Sequence, residues 1–416
     1  MPLSGFQRRS GELYCERTPL SEIAAGAGTP CYVYSSEAIR RNYRAYDRAL
    51  GELPHAVHYA VKANSSLAVL ALLAEEGAGF DIVSGGELFR VLEAGGDPGR
   101  VVFSGVGKSR NEMAYALDVG IGAFNCESDQ ELTVLREVAC EKGAAPRVAL
   151  RLNPDISAET HPYIATGMSD HKFGVDIQTA EALYRRAAEF APLRIEGVSC
   201  HIGSQIFDTQ AFFDALDRLL ALIDRLAAAG VEIRKLDLGG GLGIAYRDSE
   251  STPPIDAYAS RLAEILAGRD LELALEPGRS IVGQAGVLLS RVTYRKQGAS
   301  KVFVIVDAAM NDLLRPALYQ SHHEILPVVA RSRPSIRADV VGPVCESGDF
   351  LAREREMEDL APGDLIAVAT AGAYGFVQAS NYNSRPRPAE ALVDGDQWRI
   401  VRERESYRDL IQGETP

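Results

Sequence analysis

The chain has 416 residues, 46% of them hydrophobic and 24% charged, with a formal net charge of -13 at pH 7; this is a globular composition with room for two to three domains, or one large barrel and an appended domain. The acidic balance argues against nucleic acid as a partner. No apolar run approaches the ~20 residues that span a bilayer, and MPLSGFQRRSGELYCERTPL lacks the apolar core of a signal peptide, so a cytoplasmic protein with no membrane contact is expected.

In chain order, the first thirty residues, with GELYCERT, show little helical period and are expected to lend a strand to a later β domain. From residue 57 onward, short β-rich runs alternate with amphipathic stretches. The runs are VHYAVKA, FDIVS from Phe80, VVFSG from Val101, AFNCES from Ala123, RVALRLNP from Arg147, GVSCHIGSQ from Gly197, KLDLGGGLG from Lys235 and LELALEPGR from Leu271. Between them, segments such as LAVLALLAEEG and FFDALDRLLALIDRLAAAG place apolar residues at three- and four-residue spacing. Eight such units predict a parallel (β/α)8 TIM-like barrel over residues 32–275, with an open doubly wound sheet as the rival arrangement. Within the first run, strand alternation puts Lys62 on the face of His58, Ala60 and Asn64. The stretch DISAETHPYIATGMSDHKFGVDI, with no clear periodicity, is either a lid over residues 153–176 or a surface insertion. After Glu276, AGVLLSRVTYRK, SKVFVIVDAAM, ADVVGPVCES, DLIAVATAGAYG and WRIVRERES predict a C-terminal antiparallel β domain, formed by 276–416 together with 1–31.

Barrels carry their chemistry at the C-terminal ends of their strands, and polar residues recur there: Lys62, Asp81, Ser84, Ser104, Glu127, Asn153, His201, Ser204, Gly239 to Gly243 and Glu276. A buried lysine is costly unless paired or used, and this convergence favours use for Lys62. The triple glycine after the seventh strand fits neither a dinucleotide fingerprint nor a Walker A loop. Late barrel loops rich in glycine commonly hold phosphate, and EPGR follows the eighth strand. An amine on the first strand, a phosphate cradle on the seventh and eighth, and the interior acid Glu276 together point to pyridoxal 5'-phosphate as cofactor. Six cysteines (Cys15, Cys31, Cys126, Cys140, Cys200 and Cys345) without a CxxC pair support neither a disulfide framework nor a structural zinc site, and no metal is expected.

YAVKAN, FDIVSGGEL, HPYIATG, HKFG, CHIGSQ, LDLGGGLG, EPGR, RPALYQ, GPVCESGDF and GAYGFVQASNYNSRPRPAE run in order over nearly the whole chain. This set resembles the diaminopimelate decarboxylases, within the ornithine, diaminopimelate and arginine decarboxylase group of alanine-racemase-like barrel enzymes. The resemblance implies a homodimeric pyridoxal-phosphate carboxy-lyase that converts meso-2,6-diaminopimelate to L-lysine and carbon dioxide, the last step of lysine synthesis. It implies Lys62 as the Schiff-base lysine and His201 stacked on the cofactor ring. Ser204, Gly241 and the backbone of Glu276, Pro277, Gly278 and Arg279 would hold the phosphate, and Glu276 would pair with the pyridine nitrogen. Arg279, Arg315 and Tyr319 would recognise substrate carboxylates, and Tyr374 would contact cofactor and substrate. Cys345 and Glu346 would reach the neighbouring subunit's site, Glu346 suiting a distal ammonium. Cys345 is a candidate proton donor, since thiols are mostly protonated at neutral pH. After RPALYQ the chain carries Ser321, His322 and His323, where the pattern often has a larger aromatic. The alternatives are a decarboxylase of ornithine, lysine, arginine or carboxynorspermidine, an amino acid racemase, and a non-catalytic cofactor carrier.

Overall fold

A computed structural model of the chain describes residues 3–156 and 172–416. Most of the expected lid, residues 157–171, lies outside the described residues. Two compact units are present: Tyr43–Ile244 with Thr252–Gly278, and Met1–Asn42 with Ala245–Ser251 and Arg279–Pro416.

Among the described residues, the first unit is built on eight parallel strands: His55–Ala60, Gly79–Ile82, Val101–Phe103, Ala123–Cys126, Arg147–Asn153, Arg194–Cys200, Lys235–Asp237 and Glu272–Leu275. The eighth pairs with the first, Leu273 opposite His55 and Leu275 opposite Val57, so the sheet closes into the barrel that the alternating pattern predicts. Strands covered on both faces read as near-continuous apolar runs. Accordingly Phe80, Phe103 and Phe124 are fully buried, the last two stacked with centroids 6.0 Å apart. Serines after three successive strands start the helices that follow. Ser84, Ser109 and Ser128 accept the backbone N–H of Glu87, Glu112 and Glu131, and glycines in left-handed conformation close the second and third of these helices at Gly120 and Gly143. Ser84, one of the polar strand-end residues, is therefore engaged as a helix cap.

The first strand stops at Ala60, and Lys62 sits in a 3-10 turn over Val61–Ala63 rather than within the strand. Strand alternation thus does not set its direction. The turn is held by Ala60 N–H donating to Pro277 O at 3.1 Å. It also lies against Gly278, where a Cβ would come 2.9 Å from that of Ala63.

The second unit carries, among the described residues, a nine-stranded sheet. Its main path runs Phe350–Glu358, Ser335–Val341, Val302–Val306, Gly286–Gln297, Cys31–Ser35, Ala389–Asp394 and Gln397–Arg402, with Leu365–Val368 joining Gly286–Gln297 and Ile325–Pro327 joining Leu365–Val368. The N-terminal strand Cys31–Ser35 is taken into this sheet. Most pairings are antiparallel. Val302–Val306 with Ser335–Val341, and Cys31–Ser35 with Ala389–Asp394, are parallel, so the sheet is mixed. Its core gathers Leu13, Leu20, Ile23, Val33, Val287 and Leu289. No helix among the described residues is long and apolar enough to cross a membrane.

Candidate active site

At the C-terminal ends of the barrel strands lies a cavity of about 410 Å³, lined by Lys62, Ser104, Arg151, Phe173, His201 and Glu276 among others. Lys62 reaches it from the turn after the first strand, its side chain 36% exposed, and Nζ donates to Asp81 Oδ2 at 2.5 Å. Asp81 is fully buried, and its second oxygen has no hydrogen-bond partner among the described residues. Arg151 Nη1 pairs with Glu127 Oε1 at 3.2 Å and lies over the Phe173 ring, 4.9 Å from the centroid.

Glu276, just past the eighth strand, meets a polar layer inside the barrel. Asn125 Nδ2 lies 3.4 Å from its Oε1, 3.1 Å from Asp237 Oδ2 and 3.1 Å from Ser104 Oγ. Burial, then the charges of Asp237 and Asp81, pushes the Glu276 carboxyl well above its ordinary range. Burial also raises Asp237, which shares a hydrogen bond with Glu276. Two carboxyls in contact away from water cannot both ionise cheaply, so the pair retains a proton. His201 is driven the other way. Burial, then the charges of Arg151 and Lys62, lowers its pKa well below the usual imidazole value, leaving a neutral ring whose Nδ1 accepts from Gly240 N–H at 3.3 Å.

The glycine loop is forced by close backbone packing. A Cβ at Gly240 would lie 2.1 Å from Glu276 O, and one at Gly241 would lie 2.1 Å from Gly203 O, where φ is also +116°. Ile206 N–H donates to Gly241 O at 2.9 Å, which holds the segment containing Ser204 beside this loop. Ser204, Gly241, Pro277 and Gly278 therefore belong to adjoining turns after the sixth, seventh and eighth strands.

The second unit holds a cationic cluster. Arg279 and Arg315 are both only 6% exposed. Arg279 Nη1 donates to Tyr246 Oη at 2.7 Å and lies 4.8 Å from the Tyr374 ring centroid. Arg315 lies 5.1 Å from the Tyr246 centroid and 5.9 Å from that of Tyr319. Burial raises the Tyr246 phenol, but the charges of Arg279 and Arg315 outweigh it and bring the pKa below its ordinary value. Burial also lowers that of Arg315, which has no carboxylate partner among the described residues. Both guanidiniums are thus buried against tyrosine side chains. Cys345 and Glu346 lie on an exposed turn of the same unit. Cys345 N–H donates to Asn383 Oδ1 at 2.8 Å, and Glu346 accepts a hydrogen bond from the Tyr382 hydroxyl. Cys126 and Cys200, by contrast, are buried thiols whose pKa values burial raises strongly.

Of the residues singled out from sequence, Lys62, His201 and Glu276 line one cavity, while Arg279, Arg315, Tyr319 and Tyr374 converge in the other unit. Asp81 belongs to the ring of strand-end polar residues already marked in the sequence, whereas Asn125, Asp237, Arg151 and Tyr246 were not singled out. The first three stand at or near the C-terminal ends of barrel strands, the same positional signal that marked Lys62; Tyr246 follows the glycine loop and carries no such signal.

Residues 36–283 match the family model described as pyridoxal-dependent decarboxylase, pyridoxal binding domain. The chain is 57% identical to a diaminopimelate decarboxylase of Pseudomonas aeruginosa over 99% of this chain and 98% of that one. It is 52% identical to one of Vibrio cholerae over 97% and 96%. A solved diaminopimelate decarboxylase from Helicobacter pylori complexed with L-lysine superposes with a TM-score of 0.91 at 41% identity, covering 94% of this chain and 98% of that one. One from M. jannaschii in co-complex with L-lysine gives 0.95 at 36%, covering 100% and 99%.

Proposed function

The chain belongs to the diaminopimelate decarboxylase family of pyridoxal-dependent decarboxylases, and from that premise we propose that it converts meso-2,6-diaminopimelate to L-lysine and carbon dioxide, the last step of lysine synthesis, as a cytoplasmic homodimer. The observation that carries the reading is that Lys62 and the buried Glu276 line one cavity at the strand ends of the barrel. The residues present fit pyridoxal phosphate: an amine at the rim, a buried acid holding its proton, a neutral flat imidazole, and glycine turns that bring backbone close together.

When bound, the cofactor supplies an aldehyde for attachment and a ring that takes up the electron pair left by the departing carbon dioxide. Lys62 Nζ would hold the cofactor through that aldehyde, and Asp81 keeps the amine oriented. Glu276 would supply the proton at the pyridine nitrogen, with Asn125 and Asp237 fixing its carboxyl. His201 would lie against the ring, and being neutral it would not compete with that proton. Ser204, Gly241 and the backbone of Pro277, Gly278 and Arg279 hold the phosphate. Arg279, Arg315 and Tyr319 bind substrate carboxylates, and Tyr374 contacts cofactor and substrate. Cys345 and Glu346 serve the neighbouring subunit's site, Cys345 returning a proton to the α-carbon and Glu346 taking the distal ammonium.

The test is carbon dioxide and lysine release from meso-diaminopimelate, with and without added pyridoxal phosphate. Cofactor-dependent formation of both in equal amounts is expected. Rapid turnover of ornithine beside negligible lysine formation would reject the substrate.

A further inference from the structure

Ser321, His322 and His323 have no task in the proposed function. His323 is fully buried, edge-on to Tyr246 with centroids 5.3 Å apart. Its Nδ1 lies 2.8 Å from Ala369 O. A carbonyl only accepts, so Nδ1 carries the hydrogen, and the lone pair of the neutral ring is on Nε2. Arg315 Nε donates to that Nε2 at 3.4 Å, and Arg315 Nη2 donates to Ser321 Oγ at 3.3 Å.

The backbone makes this arrangement rigid. The helix Arg315–Tyr319 ends at Gln320 in left-handed conformation, φ 53°, which turns the chain back on itself. Ser321 N–H then donates to Arg315 O at 3.4 Å. Ile325–Pro327 pairs with Leu365–Val368, and Ala369 N–H donates to Glu324 O at 2.9 Å, so the Ala369 carbonyl that anchors His323 is itself fixed by the sheet. Burial, then the charge of Arg315, lowers His323 to about 3, which keeps Nε2 an acceptor at neutral pH.

We propose that His323 is a positioning residue for carboxylate recognition: it accepts from Arg315 Nε while Ser321 accepts one Nη2 hydrogen, leaving the outer edge of the guanidinium aimed at a substrate carboxylate. The proposal rests on the reading of Arg315 as a carboxylate contact. An arginine held on its inner edge loses less rotamer freedom when it binds, so the residue acts on affinity rather than on chemistry.

Two substitutions separate the tether from the acceptor. His323→Asn keeps a donor toward Ala369 O and removes the acceptor beside Arg315; His323→Gln restores an acceptor at the ε position. In steady-state assays of the holoenzyme with meso-diaminopimelate, His323→Asn raises KM roughly tenfold or more with kcat within about twofold, while His323→Gln stays within about threefold of wild type in KM. Ser321→Ala raises KM by a smaller factor, roughly threefold. The inhibition constant of pimelate, a dicarboxylate without amines, moves in parallel with KM. A wild-type KM in His323→Asn, or a His323→Gln as impaired as His323→Asn, overturns the proposal and leaves the decarboxylase reading intact. If the wild-type enzyme leaves meso-diaminopimelate unchanged, the decarboxylase reading fails. Calorimetric pimelate titration of wild type, His323→Asn and His323→Gln then decides the role of His323, equal affinities overturning it.

Discussion

Glu276→Gln removes a titrating carboxyl from the barrel interior while keeping its shape. Asn125 Nδ2 has two hydrogens, yet three oxygens surround it: Ser104 Oγ at 3.1 Å, Asp237 Oδ2 at 3.1 Å and Glu276 Oε1 at 3.4 Å. Ser104 Oγ adds one donor toward Glu276 at 3.5 Å, and Gly239 N–H one toward Asp237 Oδ1 at 2.8 Å. These donors do not satisfy two full carboxylates, in keeping with the raised pKa of both groups. An acid whose pKa is raised on folding binds its proton more tightly in the native state. Its contribution to stability is complete below the ordinary carboxylate range and is lost as pH rises toward the raised value. The slope reaches at most about 1.4 kcal/mol per pH unit for one proton. For 416 residues at ~2.1 cal/mol/K per residue, 1 kcal/mol shifts Tm by about 1 °C, so that is about 1–2 °C of Tm per pH unit. Thermal melts of the cofactor-free protein, followed by circular dichroism from about pH 5 to 9, should show the wild-type Tm falling faster than that of Glu276→Gln. His201, with its lowered pKa, contributes the opposite slope near its ordinary range, and does so in both proteins, so the difference between them isolates the acid pair. Parallel Tm curves would refute the retained proton. With cofactor bound, the same variant lacks the acid for the ring nitrogen and should lose about 10²-fold or more in kcat.

Lys62→Ala should abolish the visible absorption of the cofactor-bound enzyme. Because it also leaves Asp81 buried without its cation, adding Asp81→Asn should recover stability in a double-mutant cycle while the absorption stays absent. Gly240→Ala places a methyl group where Glu276 O lies 2.1 Å away, so a loss of about 1–3 kcal/mol in denaturant unfolding is expected, with weakened cofactor binding. Mixing inactive Lys62→Ala and Cys345→Ala subunits should restore about a quarter of wild-type activity if sites are shared across a twofold dimer, and none if each subunit is self-sufficient.

The barrel was legible because each strand is a short apolar run between amphipathic helices, and that pattern needs only local sequence. The 3-10 turn at Lys62 was not, because its contacts with Pro277 and Gly278 come from more than two hundred residues away. The acid pair escaped for the same reason: Asn125, Asp237 and Glu276 meet across the barrel interior from three different strand ends, and no spacing in the sequence records such a contact. In the second unit, alternation identified strands but does not distinguish a parallel from an antiparallel neighbour, so the two parallel pairings could not be read. Cys345 was separable from Cys126 and Cys200 by its neighbours, Glu346 and a glycine-flanked turn, and it is exposed where those two are buried.

Two lysines of the barrel unit show how a fold sets a cation's use. The Lys108 side chain is completely buried, and its three acceptors, Gly105 O, Asn125 O and Glu131 Oε1, each lie 2.7 Å away. An ammonium has three hydrogens, so this group is saturated; the desolvation cost is met by hydrogen bonds, and no N–H remains for a ligand. Lys62 pairs with a fully buried carboxylate yet keeps about a third of its side chain exposed in a cavity. The Asp81 pairing orients the amine, and the exposure gives a ligand access to it. The same residue type is thus sealed in where three acceptors surround it and reachable where its side chain opens into a cavity. That difference rests on the backbone at strand ends and turns: closing the Gly105 turn over Lys108 buries one amine, while the Val61–Ala63 turn leaves the other at the mouth.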